Sequence, residues 1–432
     1  MQDACGQPFE HSTQMNSVLV RIAGFEIWVV GLLLTLSIAN TAIQPVCILV
    51  AIGFWIVRWF AFGCLSLRTP VDWSVLGLVL LLPISLYIAT TQQVAVQQVY
   101  RVLCGVLIFY AIVNWAKTRE KFTKGLMVLA LVGVTLSVYA FLTVEWRFAG
   151  LFGWLENIRS FTAPYLNDRV NPNVMAGNLV ILMPVMAALA ISSYAQSSRL
   201  AVVIAIISFV TMASVLLLTF SRSAWLALIV SMVALVLLRW RWGWAVVLLS
   251  VLATIGVYFY AGPLTINEFL LSGTSAGSTQ NRLELWQRGI QLLNDFPFTG
   301  VGMGGFSYAL ALFFPLSAQA SNTLPHVHNL FLQIGIDMGV PGLIFWLANF
   351  MLVVYSAWRF YQWGLNNLGR QHWMVYIAAG LLCSQVAMIV NGMTDSVTWG
   401  MVRPAPLVWI VWGFAVAMEI HKPRLLGDRI AS

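Results

Sequence analysis

Apolar runs of about twenty residues recur along the chain from residue 23 to residue 420, separated mostly by short polar or Pro-bearing connections. A helix needs roughly 20 such residues to cross a hydrocarbon core of ~30 Å. The runs are continuous, unlike the alternating ten-residue segments of a membrane β-barrel. They predict spans at 23–43, 46–66, 71–90, 100–116, 124–143, 174–193, 199–219, 222–238, 243–261, 339–358, 373–392 and 404–420. Pro45, Pro70, Pro341 and Pro404 or Pro406 mark turns or first helical turns. Pro184 falls inside a span and predicts a kink. The expected fold is an all-α polytopic membrane protein with about 12 transmembrane helices. Residues 1–432 form a single transmembrane domain with no internal repeat, a large inserted helical loop at 262–338 and a second outer segment at 144–173.

Composition agrees with the pattern. Sixty per cent of the 432 residues are hydrophobic and 9% are charged, where an average soluble domain carries roughly 25% charged residues. With 19 Trp and 25 Phe, a disordered or fibrous chain is excluded. The run after Arg21 lacks a small-residue cleavage site and reads as a retained span. Cys5, Cys47, Cys64, Cys104 and Cys383 show no close pair in a polar loop, so neither a disulfide framework nor a cysteine metal site is expected.

An even number of spans puts both termini on one side, and the cations choose the side. With the termini cytoplasmic, the outer side holds Arg101, Arg147, Arg159, Arg169, Arg222, Arg282, Arg288 and Arg403, and the larger share of the 23 Lys and Arg lies inside. That distribution obeys the positive-inside rule. All lysines are inside and every outer cation is arginine. Arginine presents a planar fork that suits phosphate or carboxylate, although its general excess over lysine in this chain could give the same pattern.

In the large loop, TQNRLELWQRGIQLLNDFP predicts a helix with Asn281 as N-cap and Glu284 completing a capping box. Leu283, Trp286, Ile290 and Leu293 make its expected apolar face. Arg288 lies six residues after Arg282, roughly 120° around the helix, so the two need not share a ligand. The following TGVGMGGFSYA holds Gly300, Gly302, Gly304 and Gly305. Its amides could cradle an anion, or the segment could be a tight turn packed on the membrane surface. Next, PHVHNLF holds His326 and His328, the only outer histidines. An imidazole titrating near pH 6.5 is the default neutral base; the plainer reading is a hydrogen-bonded histidine at a loop–helix junction. Arg222 sits between two apolar runs with almost no loop, which reads as functional or as interfacial snorkelling.

Outer acids are scattered, so no oxygen-ligand metal site is visible, and there is no Walker motif or nucleic-acid module. Without ATP on that side, bond formation needs a pre-activated donor, and a lipid-linked diphosphate sugar fits the arginines.

The run from Arg282 through Trp286, Pro297, Gly300, Gly302 and Phe306 to His328-Asn329, Gly335, Gly339 and Gly342 resembles the signature loop of the O-antigen ligase and polymerase superfamily. The resemblance implies a GT-C-like glycosyltransferase of the bacterial inner membrane. It would use no metal or other cofactor and act on the periplasmic face. A polysaccharide would pass from undecaprenyl diphosphate to lipid A-core with inversion, in lipopolysaccharide assembly. By motif position His328, or His326 two residues before it, would be the catalytic base. Arg222 and Arg282, with Arg288, Arg159 or Arg169, would bind the diphosphate. The expected partners are the carrier-linked donor, the lipid A-core acceptor and membrane lipids, with no nucleic acid. The chain stops soon after its last span and has one histidine-bearing loop, which favours the ligase. The alternatives are an O-antigen polymerase, a protein O-oligosaccharyltransferase and, from a different class, a lipid-linked sugar transporter.

Overall fold

The computed structural model describes residues 13–144, 146, 161, 170–192, 198–261, 277–314 and 326–426. The first half of the chain forms α1 (Thr13–Gly24), α2 (Glu26–Ala39), α3 (Gln44–Phe62), α4 (Asp72–Ile88), α5 (Gln92–Trp115) and α6 (Arg119–Thr143). After the second outer segment come α7 (Pro172–Ala190), α8 (Arg199–Leu218), α9 (Arg222–Arg239) and α10 (Gly243–Ala261). The large loop contributes α11 (Gly277–Asp295) and α12 (Phe306–Phe313). The bundle is completed by α13 (Leu330–Asn367), α14 (Trp373–Gly392), α15 (Leu407–Ile420) and α16 (Lys422–Leu426). Among the described residues, 9 helices are long and apolar enough to cross a membrane. The shorter apolar segments Asp72–Ile88, Gly243–Ala253 and Leu407–Ile420 fall on the remaining predicted spans. The chain is an all-α, multi-pass membrane protein.

Of the nine long helices, α5, α7 and α14 are the most enclosed. Lipid tails are as apolar as leucine, so such helices associate through close packing and side-chain hydrogen bonds. Gly380 of α14 lies so near α7 that an added Cβ would meet Pro184 O at 2.9 Å. Ser384 Oγ, one turn on, donates to Ile181 O of the same neighbour.

Charges sort to the two ends of the bundle. At one end Arg58 pairs with Glu26 at 3.3 Å, both buried. Asn114 of α5 accepts from Leu67 N, and His421 meets Val113 O. Arg239 donates to Arg370 O, and Lys422 pairs with Glu419. At the other end lie Ser85, Arg101, Asp337, Asp395 and Trp399.

Two expectations are corrected. Cys64, next to the left-handed Gly63 that caps α3, is disulfide-bonded. Cys47, Cys104 and Cys383 are free and buried. Helix α11 begins at Gly277, so Asn281 lies inside it and is not its N-cap.

Candidate functional site

The loop is held to the bundle by a small core of its own. Leu285, Leu292, Phe306, Leu310, Val327 and Ile336 are buried together. Each such side chain contributes roughly 1.5–3 kcal/mol on burial. The buried face of α11 runs through Leu285, Gly289 and Leu292, whereas Leu283 and Ile290 of the predicted face are exposed. The reason is Gly289: a Cβ there would meet Val327 at 2.9 Å and Leu332 at 3.0 Å. The helix approaches most closely where it has no side chain, and hydropathy does not count that position. Arg282 and Arg288 flank this face on opposite sides.

The glycine-rich turn proves to be packed. Gly300, Gly302 and Gly304 all have positive φ. A Cβ on Gly300 would strike Ile336 O, and one on Gly302 would strike the backbone of Ala89. The amides of this turn have protein acceptors: Val301 N donates to Ile336 O and Met303 N to Ser85 Oγ. Gly339, with φ 70°, breaks α13 into a short first piece and a long second one.

The short first piece positions the histidines. Asn329 caps α13 through Leu332 N, and its Nδ2 donates to Met393 O at the end of α14. Val327 turns inward, its N–H held by Gln333 Oε1. His326 and His328 flank it and turn the other way, their ring centroids 4.1 Å apart. His328 has φ 54°, a region that non-glycine residues seldom occupy.

Both rings face Asp395, which sits just past α14 and is 4% exposed. His326 Nε2 lies 3.2 Å and His328 Nδ1 3.8 Å from Asp395 Oδ1. Neither ring nitrogen is aligned with it as a hydrogen bond. The same oxygen accepts from Ser396 N at 2.8 Å. Burial works to raise the Asp395 pKa, but the facing imidazoles outweigh it and hold the group below the usual carboxylate range. For His328 the largest influence is burial, which lowers its pKa below 6.5; Asp395 works upward, and His326 and Arg282 add to the lowering. The charge of Arg282 therefore reaches His328.

The other expected site residues separate. Arg288 pairs with Glu284 at 3.9 Å and reaches Gln291. Arg222 is exposed at the first turn of α9, after a reversal through Phe220 at φ 51°. Arg239, at the far end of α9, lies over the Tyr376 ring near the start of α14. The two helices are thus antiparallel, and Arg222 is at the Asp395 end. Arg159 and Arg169 lie outside the described residues. Asp395 escaped the sequence reading, because it stands far along the chain from the loop. Its one signal was an isolated acid immediately after an apolar span.

Together the site offers a neutral imidazole facing a carboxylate and a guanidinium within electrostatic reach. It is equipped for proton abstraction beside a developing negative charge. The ligand atoms of His326, His328 and Asp395 also lie within 4.8 Å of one another, close enough to hold a metal ion.

This is a multi-pass membrane protein with a histidine–carboxylate site at one end of its bundle. Residues 207–347, which include Arg222, Arg282 and both histidines, match the family model described as O-antigen ligase. The match spans about a third of the chain and supports the O-antigen ligase and polymerase superfamily. No curated protein matches the chain.

Proposed function

We propose that the protein is an O-antigen ligase of the bacterial inner membrane, with both termini cytoplasmic and the histidine end in the periplasm. It transfers a polysaccharide from undecaprenyl diphosphate to a sugar hydroxyl of lipid A-core, inverting the anomeric carbon. The acceptor oxygen forms the new bond to that carbon as the bond to diphosphate breaks. The hydroxyl proton goes to His328 Nε2, and the diphosphate leaves as an anion. His328 is preferred over His326 because its Nδ1 faces Asp395. Asp395 then stabilises the tautomer whose Nε2 is free to accept a proton. Arg282 and Arg222 neutralise the leaving group, with Arg159, Arg169 or Arg288 as further contacts.

The observation that carries this reading is the approach of His328 to Asp395 within reach of Arg282, inside or beside the segment that matches the ligase family. The test is an acceptor exchange in detergent with purified protein and carrier-linked donor. Product on lipid A-core is expected; product only on a second carrier-linked unit would make the enzyme a polymerase. The arginines of the 144–173 segment favour that alternative. A metal-assisted version is favoured by the closeness of the three ligand atoms. The reading proposed here expects undiminished transfer in excess chelator.

A further inference from the structure

Three ligand atoms converge where the loop meets the end of α14. His326 Nε2 lies 3.2 Å and His328 Nδ1 3.8 Å from Asp395 Oδ1, and all three atoms fall within 4.8 Å of one another. A metal ion held tetrahedrally at ~2.0–2.1 Å keeps its ligand atoms about 3.3–3.4 Å apart. The two distances to the carboxylate bracket that spacing, so side-chain rotations alone would let the three share an ion. Both facing ring nitrogens are also buried without a hydrogen-bond partner. An unsatisfied buried polar atom costs about 1–3 kcal/mol, and one ion would satisfy both. Two imidazoles and one carboxylate suit zinc and its transition-metal neighbours, whereas calcium and magnesium prefer oxygen ligands throughout.

The protein itself holds the ligand-bearing segments together. Asn329, next to His328, caps α13 and donates to Met393 O, two residues before Asp395. Ser396 N donates to Asp395 Oδ1 at 2.8 Å and orients the carboxylate, as outer partners of metal ligands do. The side chains of His326 and His328 keep 14% and 19% of their surface exposed, which leaves an ion a way in. The charge of Arg282 reaches His328 and works against a cation. That repulsion suits an ion held reversibly rather than a permanent structural one.

We infer that His326, His328 and Asp395 bind a zinc-class divalent ion, and that the bound ion stops transfer. The stop rests on the ligase reading and its base; the binding does not. With the ion on Nδ1, the single proton of the neutral His328 ring sits on Nε2. That nitrogen is the one that takes the proton of the acceptor hydroxyl, and it can no longer do so. The ion also occupies Asp395 Oδ1, which otherwise favours the reactive tautomer. It is therefore an inhibitor of the site and not its cofactor, and transfer runs at its full rate without it.

The test uses the full-length purified protein, stripped with chelator and desalted, with zinc chloride as the probe. Calorimetry should show one zinc ion bound per chain. His326→Ala and Asp395→Asn should each weaken that binding by on the order of 10–100-fold or more. Zinc should raise the thermal midpoint of the wild type and not that of either variant, a readout that needs no activity. In the transfer assay each protein is compared with its own zinc-free rate. Wild-type transfer should fall as zinc fills the site and return when chelator is added, while the same zinc leaves the ratio for His326→Ala near one. No zinc binding by the wild type, or equal binding by the wild type and both variants, overturns the inference. So does zinc that binds at the three side chains and leaves wild-type transfer unchanged or raises it. Binding with the expected losses, in a wild type that transfers nothing to lipid A-core with or without zinc, supports the site and removes the ligase reading instead.

Discussion

Two buried carboxylates stand at the same end of the bundle, and they are satisfied in different ways. Asp337, inside α13, accepts from Gln333 Nε2 and Trp399 Nε1, both at 2.9 Å and both neutral donors that cannot titrate. Its backbone oxygen also accepts from Ser85 Oγ, which in turn takes Met303 N of the glycine turn. Asp395 instead faces two half-buried imidazoles that are not aligned with it. The first arrangement is closed and holds α13, the loop and the 394–406 connection together. The second is open, and His328 within it can gain or lose a proton. Buried polar groups that are fully paired specify structure, whereas those left partly paired beside titratable side chains mark chemistry.

Substitutions should separate the two. His328→Ala is expected to abolish transfer, a loss on the order of 10³-fold or more from removing the base, with the protein still extracted as a folded monodisperse species. Ordinary lipopolysaccharide ladders in cells carrying only that variant would remove His328 from the mechanism. Asp395→Asn should lower kcat/KM by on the order of 10²-fold, because the tautomer is no longer held. Asp337→Ala should act in the opposite sense. It leaves the Gln333 and Trp399 donors unsatisfied at a cost of about 1–3 kcal/mol each, lowering thermal stability while the surviving protein still transfers.

The pH profile gives a finer cut. The His328 pKa is held below 6.5, and its active form is neutral. The rate should therefore be full at neutral pH and fall as pH drops through that lowered value. Arg282→Gln removes a positive charge that favours the neutral ring, so the acidic limb should move up. Asp395→Asn removes a partner that favours the charged ring, so the limb should move down. An acidic limb that stays in place in both variants would detach it from His328. The smallest effect belongs to Arg288→Gln, about twofold at most on kcat/KM, because Arg288 is already paired with Glu284 on the outer flank of α11.

The spans were legible because lipid demands about twenty apolar residues in a row, and that demand is written directly in the chain. The histidines were legible because so few imidazoles occur. The rotation of α11 was not, since close approach at Gly289 decided it rather than the strongest apolar stripe. The glycine turn offered two readings, and the contacts of Gly300 and Gly302 with the backbones of α13 and Ala89 favour the packed one. Asp395 was not legible as a site residue because α14 alone brings it to the loop. A lone acid after a span has no local pattern to distinguish it.

The most direct measurement is transfer of carrier-linked polysaccharide to lipid A-core by purified wild-type and His328→Ala protein, each in excess chelator. The account predicts product from the wild type and none from the variant. Product from His328→Ala, or a wild-type activity that vanishes with chelator and returns with added divalent metal, would contradict it.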